Sequence, residues 1–280
     1  MSELVVLGSG GAFATATRNN PSVALLHESA TYLFDCGEPV AASLYRHGIS
    51  VTSVRSVFVS HVHMDHLGGL PQLINAIRLM SRNVDPSRGS GLPWSMHVKA
   101  DWHLRNLRFP LSSGGTTIDS TLPREVKLHL PASAITPLQE FQSACLLGPE
   151  RLRFKLVWPP IRLGEIHAEP GLKVTATRAT QLPEECFSFL IELEGRRIIY
   201  SGDLGGLDDL RPTIAGTDLL LLETSHLRPA AVASFLRETR PKQTVLVHVH
   251  PGMEDRAVAL VREVSELNVS VAYDGLRIAL

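Results

Sequence analysis

Five short apolar runs in this chain turn polar at the same place, their carboxyl end. "YLFDCG" reaches Asp35 and "SVFVSHVHMDH" reaches His61, His63, Asp65 and His66. "RIIYSGD" reaches Asp203, "LLLLETSH" reaches Glu223 and His226, and "TVLVHVH" reaches His248 and His250. Aliphatic and β-branched runs of this length, bounded by turn residues, read as strands buried for most of their length. Ionisable groups are costly to bury singly, so five such ends imply that they meet at one edge of the sheets and share a neutralising partner.

Further strands are read in "ELVVLG", "SVALLH", "LKVTAT", "FSFLIEL" and "VSVAYD". They come first as consecutive hairpins and later alternate with helices. "GLPQLINAIRLM" sets Leu70, Leu73, Ile74, Ile77 and Met80 at helical three-and-four spacing, and "PAAVASFLRET" and "DRAVALVREVSEL" read the same way. The mixture predicts an α/β fold of two mixed sheets packed face to face with helices outside. A chain of 280 residues can form one such domain, 1–280. Within it, the Gly-, Ser-, Thr- and Pro-rich stretch at 81–123 reads as a loop-rich insertion, either a lid over a site or a solvated loop.

Composition removes several classes of function. A formal net charge of −1 gives no electrostatic reason to expect long nucleic acid or an anionic membrane surface. Cys36, Cys145 and Cys186 are widely spaced and outside any CxxC pattern, which argues against a disulfide framework and for a reducing compartment. "MSELVVLGSGG" lacks a basic signal-peptide start, and no run approaches the ~20 apolar residues of a membrane span. The cytoplasm is the expected location.

Neutral imidazoles and carboxylates without a thiolate cluster suit zinc, and also manganese or iron. His61 and His63 can face one way if the strand continues past Ser60, with Asp65 and His66 following as the chain turns into a helix. Such a cluster provides two directional pairs, enough to begin the coordination of two ions about 3.5–4 Å apart.

"HVHMDHLGG" resembles the HxHxDH signature of the metallo-β-lactamase-fold hydrolases. "LGSGGAFATATRNNPSVAL" followed by "YLFDCGE" is similar to the opening of the ribonuclease Z-like branch, and "IIYSGDLG" and "VLVHVHP" resemble its later motifs. The resemblance implies an αββα sandwich. It assigns His61 and His63 to a first metal, Asp65 and His66 to a second, Asp203 as the bridge and His248 as the remaining ligand of the second. Asp35 matches an aspartate that orients the cluster, and "GSGG" is read as a tight turn under the site. One or two Zn²⁺ ions are the expected cofactor, and hydrolysis by a metal-bound hydroxide, with Asp65 accepting or relaying the proton, is the implied reaction.

The family pattern requires one more histidine on the first metal, and here that position falls on Gln181, whose amide oxygen is a poorer zinc ligand. The first site is therefore expected to be weak, with His226 and His250 as the remaining candidates. His226 reads slightly better as a loop histidine, and His250 as a rim residue after which Pro251 ends the strand. The remaining histidines are read as surface or packing residues, and Trp94, Trp102 and Trp158, which flank the insertion, as core packing ahead of a substrate wall. Only residues 182–202 separate Gln181 from Asp203, leaving no room for the arm with which ribonuclease Z grips tRNA. A small cyclic or linear phosphodiester is the expected substrate, ahead of a carboxyl ester or lactam. A metal-binding descendant without activity is the competing class, and a homodimer is left open.

Overall fold

A computed structural model describes residues 2–82, 125–183 and 185–280. Two seven-stranded sheets pack face to face. The first takes β1 (Glu3–Gly8), β2 (Ser22–His27), β3 (Ala30–Phe34), β4 (Val54–Phe58), β5 (Glu125–His129), β6 (Lys155–Val157) and β14 (Arg277–Ala279), in the order β14-β1-β2-β3-β4-β5-β6. The second takes β7 (Gly164–Glu169), β8 (Leu172–Arg178), β9 (Phe187–Leu193), β10 (Arg196–Tyr200), β11 (Leu219–Glu223), β12 (Gln243–Val247) and β13 (Val269–Val271), in the order β13-β12-β11-β10-β9-β8-β7.

Both faces of each sheet are covered, which is why the strands read as nearly continuous apolar runs. In β1 the two-residue period sends Leu4 and Val6 between the sheets, where they join Phe34, Phe58, Phe189, Ile191 and Leu221. Val5 and Leu7 point the other way, into a cluster with Leu44 of α1 (Val40–Arg46) and Leu73, Ile74 and Ile77 of α3 (Leu70–Arg82). The outer face of the second sheet buries Ile199, Leu220, Leu222 and Leu246 with Phe235 and Leu236 of α5 (Pro229–Thr239) and Leu260 of α6 (Glu254–Glu263). The result is the αββα sandwich that the alternation implied. Trp158 packs partly buried on the outer cluster of the first sheet. The proposed insertion, apart from Ser81 and Arg82 at the end of α3, lies outside the described residues, as do Trp94 and Trp102.

Direction matters more than order for the site. β3, β4, β5 and β6 run parallel in the first sheet, and β10, β11, β12 and β13 run parallel in the second. The carboxyl ends of β3, β4, β10, β11 and β12, the five polar run ends, are thereby delivered to the edge where the side chains of Asp35, His66, Asp203 and His248 meet. In open α/β sheets that edge is where ligands bind.

His129, at the end of β5, stacks on Phe58 with ring centroids 4.6 Å apart, and its Nε2 has no hydrogen-bond partner. Burial, reinforced by nearby His167 and Lys127, pushes its pKa down to about 3. The unfolded chain binds this proton near pH 6.5 and the folded chain does not, so its contribution to stability is present above pH 6.5 and lost as pH falls toward 3. Between pH 7.5 and pH 5 it should cost about 2 kcal/mol, at roughly 1.4 kcal/mol per pH unit below 6.5. His129→Phe should remove that component, and urea unfolding of both proteins at the two pH values measures it.

Candidate metal centre

β4 ends at Phe58, so His61 and His63 do not sit on a continued strand as the sequence suggested. The chain leaves the sheet through Val59 and Ser60, and His63 becomes the N-terminal cap of a single-turn helix, α2 (Met64–Leu67), that carries Asp65 and His66. The histidines still converge, through the turn. His61 Nε2 lies 2.9 Å from His63 Nδ1 and 3.5 Å from Asp203 Oδ2. His66 Nε2 lies 3.1 Å from His248 Nε2, 3.4 Å from Asp203 Oδ1 and 3.5 Å from Asp65 Oδ2. His248 Nε2 is 3.3 Å from both Asp65 Oδ2 and Asp203 Oδ1.

Asp35 stands behind this set. Its backbone is left-handed, with φ of 57°, a conformation disfavoured for a residue with a Cβ. Four donors hold it there. Oδ1 accepts from the Ser60 N–H at 2.7 Å. Oδ2 accepts from the hydroxyls of Ser60 and Tyr200 at 2.9 and 2.7 Å and from His66 Nδ1 at 2.7 Å. With the His66 proton on Nδ1, the Nε2 lone pair is directed into the centre. His248 is set the same way by a hydroxyl: Ser225 Oγ donates to the His248 carbonyl at 2.5 Å and accepts from His248 Nδ1 at 2.9 Å. Tyr200, Ser60 and Ser225 were not singled out in the sequence, where a hydroxyl beside an acid or histidine carries no distinctive spacing.

The glycine turn after β1 lies against the centre, as "GSGG" implied. A Cβ on Gly11 would sit 2.5 Å from the His248 ring, so no other residue fits without displacing that ring. Ala12, at φ 66°, donates its N–H to Asp65 Oδ2 at 2.8 Å.

Two imidazole Nε2 atoms 3.1 Å apart beside two buried carboxylates call for positive charge between them, supplied by a proton or by a cation. The titration behaviour reflects that demand. Burial alone would lower His66, yet Asp203 and Asp35 hold it up to about 10. His61 is pushed down to about 3 by burial and by the neighbouring His66. Burial would raise Asp65 and Asp203, but His248 and His66 keep Asp65 below the usual carboxylate range, and His66 and His248 do the same for Asp203. Asp203 Oδ1 is buried with no hydrogen-bond partner. An orphaned carboxylate oxygen among imidazole nitrogens is a donor set that fits a divalent cation, which would take the place of the His66 proton.

The residues that could hold it include one that the sequence left open. His61, His66 and Asp203 form one cluster of donor atoms, Asp65, His66 and His248 a second, and Asp203, His226 and His248 a third. His250 instead turns its Nδ1 to the carbonyl of Pro251 at 2.9 Å. Gln181 follows β8, and its Oε1 is buried without a hydrogen-bond partner.

A model described as a β-lactamase superfamily domain matches residues 113–253, half of the chain. The chain belongs to the metallo-β-lactamase superfamily. Another model, described as anti-Pycsar protein Apyc1, matches residues 2–86. Ribonuclease Z of Methanosarcina acetivorans is 27% identical over 98% of this chain and 96% of its own length. That of Thermoplasma acidophilum is 24% identical over 92% of this chain and 89% of its own. Among solved structures, the short form of human tRNase Z superposes with a TM-score of 0.72 at 20% identity, covering 99% of this chain and 98% of that one. A diphosphatase of the PhnP family superposes at 0.63 with 16% identity, covering 100% and 98%. The chain is a ribonuclease Z-like metallo-hydrolase of that superfamily. No helix among its described residues is long and apolar enough to cross a membrane.

Proposed function

We propose that the chain hydrolyses a small phosphodiester, cyclic or linear, at a centre of one or two divalent cations, zinc first among them. The observation that carries this reading is the convergence of the Asp65 and Asp203 carboxylates on His66 and His248 at 3.3–3.5 Å, with the two imidazoles 3.1 Å apart, at the open end of the sheets. His61, His63 and Asp203 would hold a first ion, and Asp65, His66, Asp203 and His248 a second. When bound, the cations polarise water and the phosphoryl oxygen. Asp65, kept ionised and anchored by the Ala12 N–H, is placed to accept a proton and pass it on. Asp35 acts through His66, fixing its tautomer and orientation.

Two features support a small substrate. Between Gln181 and Asp203 the chain makes only the loop after β8 and the β9–β10 hairpin, which closes through Glu194 and Gly195, both at positive φ, in a two-residue turn. That leaves no arm for a tRNA. Around the donor cluster, Phe13, Val62 and Met64 are exposed. They offer an apolar rim suited to a nucleobase or aryl group rather than to a run of phosphates. The names of the relatives, ribonuclease Z and diphosphatase, point toward phosphate chemistry.

The test is a substrate panel with Zn²⁺ or Mn²⁺: bis(p-nitrophenyl) phosphate, cyclic nucleotides, an aryl acetate and a precursor tRNA. Turnover of the diesters, lost on chelation and restored by metal, is expected, with the precursor tRNA left intact. Preferential cleavage of the aryl acetate, or efficient cleavage of the tRNA precursor, would replace this reading.

A further inference from the structure

The two oxygens of Asp203 divide the centre. Oδ1 faces His66 and His248 at 3.4 and 3.3 Å, on the side that Asp65 also serves. Oδ2 faces His61 at 3.5 Å and His226 Nδ1 at 3.7 Å. Two donors that bind one zinc ion at about 2.0–2.1 Å in tetrahedral geometry stand roughly 3.4 Å apart, so both Oδ2 distances are close to what a shared ion would set. His61 brings His63 with it, 2.9 Å away. Three protein donors are then in place, and the fourth required by a closed tetrahedral set is missing at Gln181, a neutral amide.

We infer that His226 is that fourth ligand, standing in for the imidazole that position 181 does not supply; the inference rests on the metal-centre reading above. Its placement is built into the fold. Glu223, buried at the end of β11, accepts from the backbone N–H of Leu204 at 3.3 Å and of His226 at 3.1 Å. One carboxylate thus ties the turn that carries His226 to the residue next to Asp203. Glu223 Oε1 also lies 3.4 Å from His226 Nδ1, the same nitrogen that faces Asp203, so this carboxylate holds the ring with Nδ1 at the edge of the cluster. The same turn carries Ser225, which sets the His248 ring. Two ligands from different strands are therefore oriented by one short segment, and the histidine reaches the centre from its open face, where loss of the side chain leaves no buried void.

The experiment counts metal and does not depend on turnover. Wild type, His226→Ala, His226→Gln and the double variant His226→Ala with Gln181→His are loaded with Zn²⁺, dialysed and analysed for metal. They are then titrated in apo form with Co²⁺, following the visible absorption, with circular dichroism confirming the fold. Wild type should keep two equivalents. Both single variants should keep one and bind the second at least about 10-fold more weakly, with an altered cobalt spectrum. The double variant should recover the second equivalent. If His226→Ala and His226→Gln bind the second ion with wild-type affinity and an unchanged spectrum, His226 is not a ligand. If wild type takes up no ion at all, the metal-centre reading falls first and the inference with it.

Discussion

Asp203→Asn is expected to abolish hydrolysis while leaving the circular dichroism spectrum unchanged. Asp203 ends the β10 segment, is almost fully buried, and lies within 3.3–3.7 Å of four imidazoles, those of His61, His66, His226 and His248. Asparagine keeps the size and shape but removes the one anion shared by both halves of the cluster. Its amide group would also turn N–H donors toward ring nitrogens whose lone pairs should face a cation. Asp35→Asn is the comparison that gives this meaning. Asp35 meets the centre directly at His66 and indirectly through the Ser60 hydroxyl, which lies 3.0 Å from His61 Nδ1, while its other bonds go to the Ser60 N–H and Tyr200. Its loss should cost about 10–100-fold in activity or metal affinity, the usual size for a group that orients a ligand. Measuring kcat/KM and bound metal for both variants separates the roles. Comparable residual activity in the two would mean that Asp203 does not bridge and that the chemistry belongs to one ion held by other residues.

The fold was legible because its signals are physical and repeated. A strand covered on both faces must be apolar along its length, and it can turn polar only where it leaves the sheet. Reading five such ends together located the edge that β3, β4, β10, β11 and β12 share. The helix beginning at Leu70 was equally plain, since Leu70, Leu73, Ile74 and Ile77 are all buried on its inner face. Other elements left no such mark. α1 is seven residues long, and α4 (Ala132–Ala144) carries Pro137 inside it and buries only Ala134 and Gln142, so neither shows a sustained apolar stripe. β7 is mostly exposed at the sheet edge and lacks the run that marks the central strands.

At the site, sequence spacing identified residues whose chain direction is fixed by a strand end, and it failed where a turn decides. His61 and His63 were expected to share a face through strand alternation, yet they meet through a cap before α2. His226 follows Glu223 by three residues and read as a loop histidine. Its position depends on the Glu223 carboxylate bonding back to the His226 N–H, a contact no pattern of residue types announces. Tyr200 is one of the inward-facing residues of β10, so alternation placed it in the core without indicating that its hydroxyl would reach Asp35.

His248→Ala should lose most of the bound metal and, with it, the dependence of thermal stability on chelation. An ion that binds only the folded chain stabilises it by about 2.7 kcal/mol at 100 times its dissociation constant and about 4.1 at 1,000 times. For a chain of this size roughly 1 kcal/mol corresponds to 2–4 °C, so chelation should lower the wild-type Tm by about 5–15 °C. In His248→Ala the second cluster keeps Asp65 and His66, but the nitrogen 3.3 Å from both Asp65 and Asp203 is gone. The two carboxylates then lack a counter-charge whether or not chelator is present, and the variant should melt near the temperature of the chelated wild type. His66→Ala should lose metal equally but melt lower still, because it also strips Asp35 of a 2.7 Å partner in the interior. The readout that decides is the difference in Tm with and without chelator, alongside metal content. A His248→Ala protein that retains both the metal and the chelator-dependent shift would remove His248 from the ligand set.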